Sequence, residues 1–353
     1  MRQGPCRKAR TATKAANPGP ALPFIAAADN YKEMNDLSKD AVNRLAVDEG
    51  GAGQRVDNFL VRLLKGVPKS HIYRILRSGE VRVNRKRVTP ATRLAIGDQL
   101  RIPPIRTARP EMAAPKPVAR PAALPILYED EVLIAIDKPS GLAVHGGSGV
   151  SFGLIEQLRA ARAQAKLLEL VHRLDRDTSG VLLIAKERRA LLALHAALRE
   201  GKVDKRYVVL VKGKWRDAKR QVDLPLTKFL TGAGERRVRI ERNAGQVART
   251  VFYRRQVWPD AVPPVSLLEA ELHTGRTHQI RVHLTHLGFP LAGDDKYGDF
   301  AWNKALAKQG LRRMFLHAWR LELAHPTEPR RLVLESPLPA DLAAFVVRLG
   351  CST

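Results

Sequence analysis

The stretch ELVHRLDRDTSGVLLIAK, Glu169 to Lys186, decides how the rest of the chain is read. An apolar approach ends at Val171, and His172, Arg173, Asp175, Arg176 and Asp177 then crowd together. Thr178-Ser179-Gly180 follows, ahead of the apolar run Val181 to Ala185. That order describes a loop entering a buried strand, with Thr178, Ser179 and Gly180 as the turn. Such a loop can hold a carboxylate at the rim of a cleft. Asp175 stands between Arg173 and Arg176, whose positive charge favours its ionised form. The same residues read equally well as an ordinary turn, in which Asp175 and Asp177 bond nearby backbone N–H groups and the arginines are solvated.

Composition narrows the class. The 353 residues suffice for two domains plus tails, and 44% hydrophobic content permits a sizeable core. Lys and Arg number 61 against 35 Asp and Glu, a formal charge of +26, and the pI is near 10.7. So large an excess points to a polyanionic partner, most often nucleic acid, with a generic basic surface as the plain alternative. Cys6 and Cys351 lie at opposite ends of the chain, so they build neither a disulfide framework nor a zinc knuckle, and a reducing cytoplasm fits. No run of about 18 apolar residues is present, and no membrane-spanning helix is expected. The opening MRQGPCRKARTATKAA lacks acidic groups, as transit peptides do, but no apolar h-region follows. Residues 1–46 are expected to form a disordered basic arm able to touch RNA.

Order is expected from Val47. Val56, Phe59, Leu60, Leu63 and Leu64 mark one helical face, stopped by Lys65-Gly66. Ser70 is the expected N-cap of a second helix carrying Ile72, Ile75 and Leu76 inward and ending at Gly79. Val81–Val83, a turn at Asn84, Val88, the Gly97-Asp98 turn and 99–102 read as short strands. Lys65, Lys69, Arg74, Arg77, Arg82, Arg85, Lys86 and Arg87 fall outside this core and can neutralise phosphates with little sequence readout, or form a solvated face. The segment GQRVDNFL…VPKSHIYRILRSGEVRVN resembles the alpha-L RNA-binding domain first described in a small-subunit ribosomal protein, over 47–103. Prolines 103, 104, 110, 115, 117 and 121 mark a semi-rigid linker, 104–122, before a larger domain, 123–353.

In that domain Val132–Ile136 reads as a strand and Pro139-Ser140-Gly141 as a turn; Lys138 and His145 are candidates to face a cleft, or parts of the strand and turn. Gly146-Gly147-Ser148-Gly149 lacks the GKS or GKT of a P-loop. Helices are expected over 152–165 and 190–198, the second ended by Gly201, and KRYVVLVKG enters a strand with Tyr207 as an ordinary core aromatic. His278–Leu287 reads as a helix, with Thr277 able to cap it. His273, His278, His283 and His286 invite a metal reading, but HExxH is absent, no cysteine is near, and only His283 and His286 share a helical face, so no metal is expected. Strands over 315–323 and 331–334 close the domain.

HRLDRDTSG, His172 to Gly180, is identical in type and spacing to the active-site motif of the RluA-type pseudouridine synthases. ILYEDEVLIAIDKPSGLAVHGG and LHTGRTHQIRVHLTHLGFPLAGDDKYG resemble that family's other motifs, so that the likeness runs from about 47 to 350. It implies an α+β catalytic domain on a mixed, largely antiparallel sheet, with the small RNA-binding domain N-terminal to it. It also implies Asp175 as catalytic carboxylate and Tyr207, of the Lys205-x-Tyr207 element, as the ring stacked on a flipped uracil. The arginine paired with the carboxylate is then Arg281, with Arg276 the weaker candidate. His172, Arg173, Arg176, Arg276 and Lys205 are the implied substrate contacts, and Asp294, Asp295, Tyr297 and Gly298 are implied as scaffold. The implied substrate is large-subunit (23S) ribosomal RNA, acted on by a monomer without a protein partner.

Isomerising uridine breaks a carbon–nitrogen glycosidic bond and rejoins the base through carbon with no redox change, so no cofactor is expected. One ionised Asp can serve as nucleophile or as base toward the ribose. A glycosidase would need a second carboxylate; Asp177 is the nearby one and reads as structural. Two other classes fit parts of the chain: a ribosome-associated binding factor, which leaves HRLDRDTSG unexplained, and a base hydrolase using Asp175, which would release free uracil.

Overall fold

Val56, Phe59, Leu60 and Leu63 all become the buried face of α1 (Val56–Leu63). The computed structural model describes residues 41–48, 50–64, 67–105, 124–146, 152–232 and 235–351, and these fall into two units divided near residue 112. Residues 1–40 of the expected arm, 106–122 of the expected linker, Ala123 after it, and Lys65-Gly66 lie outside the described residues.

In the first unit α1 packs with α2 (Lys69–Arg77), which buries Ile72, Ile75 and Leu76. Pro68, not Ser70, occupies the N-cap; its ring sets an extended-to-helical φ of −56°, and Ser70 lies inside the first turn. The sheet runs β1-β4-β2-β3, from β1 (Asn43–Ala46), β2 (Arg82–Val83), β3 (Lys86–Arg87) and β4 (Gln99–Ile102). β1 lies within the stretch expected to be an arm. It pairs antiparallel with β4, Asn43 opposite Ile102 and Ala46 opposite Gln99; the open edge of β4 orders a segment with no clear period of its own. Asn84 and Arg85, both at positive φ (49° and 66°), make the tight hairpin between β2 and β3. Lys69, Arg74, Arg77, Arg85, Lys86 and Arg87 are all exposed.

The second unit contains, in order, β5 (Ile126–Glu129), β6 (Leu133–Lys138), α3 (Leu154–Ala161), β7 (Glu169–Leu170), β8 (Ser179–Ala185), α4 (Arg188–Arg199), β9 (Asp204–Lys212) and β10 (Lys219–Asp223). After them come β11 (Leu226–Leu230), β12 (Arg236–Ile240), β13 (Arg249–Trp258), β14 (Val265–Leu272), α5 (Gln279–His286), α6 (Phe300–Lys308), β15 (Leu316–Ala324), β16 (Arg331–Glu335) and α7 (Ala340–Cys351). One ten-stranded sheet has the order β10-β13-β14-β9-β15-β8-β6-β5, with β16 on β15 and β7 on β8; β11 and β12 form a separate hairpin. β8 and β15 are parallel and the other pairs antiparallel. The domain is α+β on a mixed, largely antiparallel sheet. Among the described residues no helix is long and apolar enough to cross a membrane.

β8 explains the unbroken apolar run. Val181, Leu183 and Ala185 cluster with Ala190, Leu191 and Leu194 of α4, while Leu182 and Ile184 cluster with Leu154, Ile155 and Leu158 of α3, so both faces are covered. Ser179 and Gly180 already belong to the strand, and the turn falls earlier, at Arg176-Asp177. Gly180 has φ +111°, and a Cβ there would stand 2.2 Å from the Ala318 carbonyl oxygen, where β8 meets β15. Only glycine fits so close a backbone approach.

Candidate active site

Residues 171–178 leave β7, cross the end of the sheet and re-enter it as β8. The loop is fastened from below. Lys138, fully buried at the end of β6, donates from Nζ to the carbonyls of Pro139 (2.8 Å), Leu142 (2.8 Å) and Arg176 (2.9 Å). Ser140 Oγ donates to Asp177 O at 2.8 Å, and Gly141 N–H to Arg176 O at 2.9 Å. Burial pushes the Lys138 ammonium down to about 7, against the pull of the Asp177 and Asp175 charges. At the other end, Arg313 Nη2 donates to Ser179 Oγ (2.6 Å), which directs the Ser179 hydroxyl hydrogen to His317 Nδ1 (2.9 Å); His317 Nε2 then donates to Ser336 O (3.0 Å). The trio resembles a nucleophilic relay, but Ser179 and His317 are buried and anchor the strand.

Asp175 sits on the loop with its side chain 19% exposed, and Arg281 Nη1, from α5, reaches its Oδ2 at 3.2 Å. That guanidinium is only 3% exposed and is gripped by Asp294, Nε to Oδ2 and Nη2 to Oδ1 both at 2.7 Å, with Asp295 Oδ1 at 3.4 Å from Nη2. Burial works against the Arg281 cation, but the bonds and charge of Asp294, with Asp175, outweigh it and raise its pKa. Asp294 is buried too, and Arg281 with the backbone N–H groups of Lys296 and Tyr297 holds its carboxyl below the ordinary value despite that burial. The ring of Tyr297 lies 5.2 Å from the Arg281 guanidinium carbon. Tyr207, buried on β9, has its phenol pushed up by burial and further by the Asp175 charge. A partly exposed anion is thus held by an immobilised cation, close enough to a buried tyrosine for its charge to act on the phenol.

A model of the RNA pseudouridylate synthase family matches residues 132–286, and one of the S4 domain matches 54–100. The chain is 49% identical over 314 residues to the ribosomal large subunit pseudouridine synthase C of Escherichia coli (strain K12), covering 88% of this chain and 97% of that protein. This protein is an RluA-family pseudouridine synthase. The synthase is also 46% identical over 316 residues to the protein of the same name from Pasteurella multocida (strain Pm70), covering 89% of this chain and 95% of that one. Among solved structures, human RNA pseudouridylate synthase domain containing 1 is 25% identical with a TM-score of 0.52, over 63% of this chain and 87% of that one. The human domain containing 4 protein is 28% identical with a TM-score of 0.50, over 64% and 93%.

Within the synthase the other sequence candidates separate. Arg276 Nε donates to Val247 O at 3.0 Å and does not join the Asp175 cluster. Arg173 is exposed, and Arg176 Nε pairs with Asp177 at 3.4 Å; the cation on Asp175 comes from α5. Lys205 is buried, and its pKa is lowered by that burial. His172 Nε2 accepts from Leu183 N–H at 3.2 Å, its pKa pushed down to about 4 by burial and by Lys205. Lys205 is thus buried and His172 half-buried, and neither contacts Asp175 directly. Thr277 does not cap α5. His278 is the N-cap, and buried Gln279 reaches back to accept from Arg276 N–H (3.0 Å). His283 Nδ1 is 3.0 Å from Thr250 Oγ1 and its Nε2 2.9 Å from Leu224 O, and His273 Nε2 is 3.0 Å from Glu271. Asp130, His325 and Glu328 do group as metal ligands would. Both His325 nitrogens are already hydrogen-bonded, however, to Asp130 Oδ2 (2.8 Å) and the Glu328 N–H (3.1 Å). The sequence carries no signal for Lys138 as a loop fastener, for Asp294 as the holder of Arg281, or for His278 beside Asp175; only the likeness that implies Asp294, Asp295, Tyr297 and Gly298 as scaffold points near one of them.

Proposed function

We propose that this synthase isomerises defined uridines of large-subunit (23S) ribosomal RNA to pseudouridine, with Asp175 acting on a flipped-out nucleotide. The observation that carries this is Asp175, partly exposed on the loop between β7 and β8 and ion-paired at 3.2 Å to an arginine that a second, buried aspartate immobilises. A carboxylate so oriented can attack the anomeric carbon or take a proton from the ribose; either route breaks the bond to N1 and leaves the electron pair on the uracil, which turns and bonds to the sugar through C5 as the carboxylate leaves or the ribose regains its proton, while the C5 hydrogen is lost to solvent and N1 takes up a proton. Tyr207 supports the uracil face during the turn. Arg173 and Arg176, exposed on the same loop, and Lys69, Arg74, Arg77, Arg85, Lys86 and Arg87 of the S4 unit meet phosphates. The relatives named for the large ribosomal subunit support the choice of RNA. Flipping is least costly in loops and in RNA not yet folded, so an assembly intermediate is the favoured substrate, met by a cytoplasmic monomer that needs no protein partner or cofactor.

The test is carbodiimide-dependent reverse-transcription mapping of large-subunit rRNA in cells lacking the gene, complemented with wild type or Asp175→Asn. Defined stops vanish in the deletion and return only with wild type. Restoration by Asp175→Asn refutes the role of Asp175, unchanged stops refute the substrate, and free uracil in place of the carbon-linked nucleoside identifies a hydrolase.

A further inference from the structure

His278 is the unabsorbed feature of the site. Among the described residues three non-glycine residues have positive φ; Asn84 and Arg85 make a hairpin turn, and the third is His278 (φ 54°, ψ 22°), at the start of α5. A left-handed histidine is held there by its surroundings rather than chosen by its own preference. Its Nδ1 lies 2.8 Å from the Tyr297 hydroxyl, and that hydroxyl accepts from Val238 N–H, also at 2.8 Å. The Tyr297 hydrogen is therefore directed to Nδ1, which places the ring proton on Nε2. Nε2 faces Asp175, 3.8 Å from Oδ2, the same oxygen that Arg281 contacts at 3.2 Å. Side-chain contacts to Asp175 among the described residues fall on Oδ2, so Oδ1 is the oxygen left for the substrate.

We infer that His278 is a positioning residue for Asp175: its Nε2–H, oriented by Tyr297, is the second donor that fixes Oδ2 and thereby aims Oδ1. The inference rests on the reading of Asp175 as the catalytic carboxylate. A histidine suits the task because it supplies an N–H without a second full charge, which would pair with the carboxylate and blunt it. Burial lowers the His278 pKa, reinforced by the Arg281 and Lys296 charges although the Asp175 charge opposes them, so the ring remains a neutral donor at pH 7. At 3.8 Å the two atoms are not yet hydrogen-bonded, and the inference requires that they close to a hydrogen bond when RNA covers the site, as contacts at reacting groups do on substrate binding.

His278→Asn isolates the role. Asparagine tolerates the left-handed backbone, and its amide extends to the region of Nδ1, so the link to Tyr297 survives while the N–H toward Asp175 is lost. Single-turnover pseudouridine formation on a large-subunit rRNA fragment containing a mapped site is expected to slow about tenfold or more, as misaimed reacting groups do. The RNA Kd is expected to stay within about twofold of wild type, and the melting temperature to be unchanged. His278→Gln, whose amide reaches the position of Nε2, regains part of the rate. Should His278→Asn lower expression, Tyr297→Phe gives the same reading: a slower chemical step with the Kd intact, and no further loss in the double variant. A rate within about twofold of wild type, or a Kd that rises in step with the rate loss, overturns the role of His278 while leaving the synthase reading intact. Failure of wild type to form pseudouridine in this fragment overturns the rRNA reading and this inference with it.

Discussion

Asp294→Ala removes the holder of Arg281 without touching Arg281 or Asp175. In the folded protein the Asp294 carboxylate is fully buried and receives two bonds from Arg281 at 2.7 Å and one each from the N–H groups of Lys296 (2.8 Å) and Tyr297 (3.0 Å). Without it, a guanidinium only 3% exposed is left with Asp175 at 3.2 Å and the 69%-exposed Asp295 at 3.4 Å. Removing one member of a buried pair costs about 3–5 kcal/mol. At about 2–4 °C per kcal/mol for a domain of this size, melting should fall by about 6–20 °C at pH 7. The pH dependence has a definite sign. Asp294 has a folded pKa below its ordinary 3.8, so its contribution is fully present above about pH 4 and is lost as pH falls through the lower, folded value. The gap between wild type and variant, followed by calorimetry, is therefore widest near neutrality and narrows on acidification. Adding Arg281→Met to Asp294→Ala replaces the stranded cation with an apolar chain; it recovers much of the stability and none of the isomerisation. A variant melting within about 2 °C of wild type at pH 7, or a gap that widens in acid, refutes the account of Arg281 as held by Asp294.

Two further perturbations test the support of the loop. Lys138 is held near 7 in the folded chain against an ordinary 10.5, so unfolding takes up a proton between those values. The stability of wild type relative to Lys138→Met should then rise from pH 7 toward pH 10; urea melts at the two ends measure it, and a flat difference would mean that the three carbonyls keep the ammonium charged. Gly180→Ala forces a φ of +111° on alanine and drives its Cβ against Ala318 O at 2.2 Å. The backbone alone costs about 1–3 kcal/mol, and the melting temperature should drop together with rRNA modification in complemented cells; unchanged melting would show that β8 and β15 can part freely.

What was legible in the sequence follows how local each signal is. The faces of α1 and α2 and the double-sided run of β8 could be read because hydrophobic period and burial coincide there. β10 to β14 were not separated, since their order depends on register between strands distant in the chain, and β1 was missed because β4 orders it. Asp175 and Arg281 were named through motifs, although 106 positions separate them. Sequence proximity did not identify the cation on Asp175: Arg176 pairs with Asp177, Arg173 is exposed, and the partner comes from Arg281. The left-handed backbone of His278 and the carbonyl cage of Lys138 leave no trace in residue type; each is imposed by tertiary contacts.

Two aspartates on one arginine make chemical sense at such a site. Arg281 facing Asp175 alone, free to move, would close into a fork with both carboxylate oxygens and leave neither open. Asp294 takes that fork instead, through Nε and Nη2, so that only Nη1 projects to Asp175, and it meets Oδ2 alone. Asp294 also offsets much of the guanidinium charge, so Asp175 is oriented by a donor more than neutralised by a cation. The loop is fastened without a further ion pair: Lys138 binds three carbonyls and no carboxylate directly, which adds rigidity without engaging Asp175 or Asp177. Rigidity with one carboxylate oxygen unclaimed is what an attacking or proton-abstracting group needs, and here the two-bond ion pair that supplies it is made by Asp294, which is fully buried.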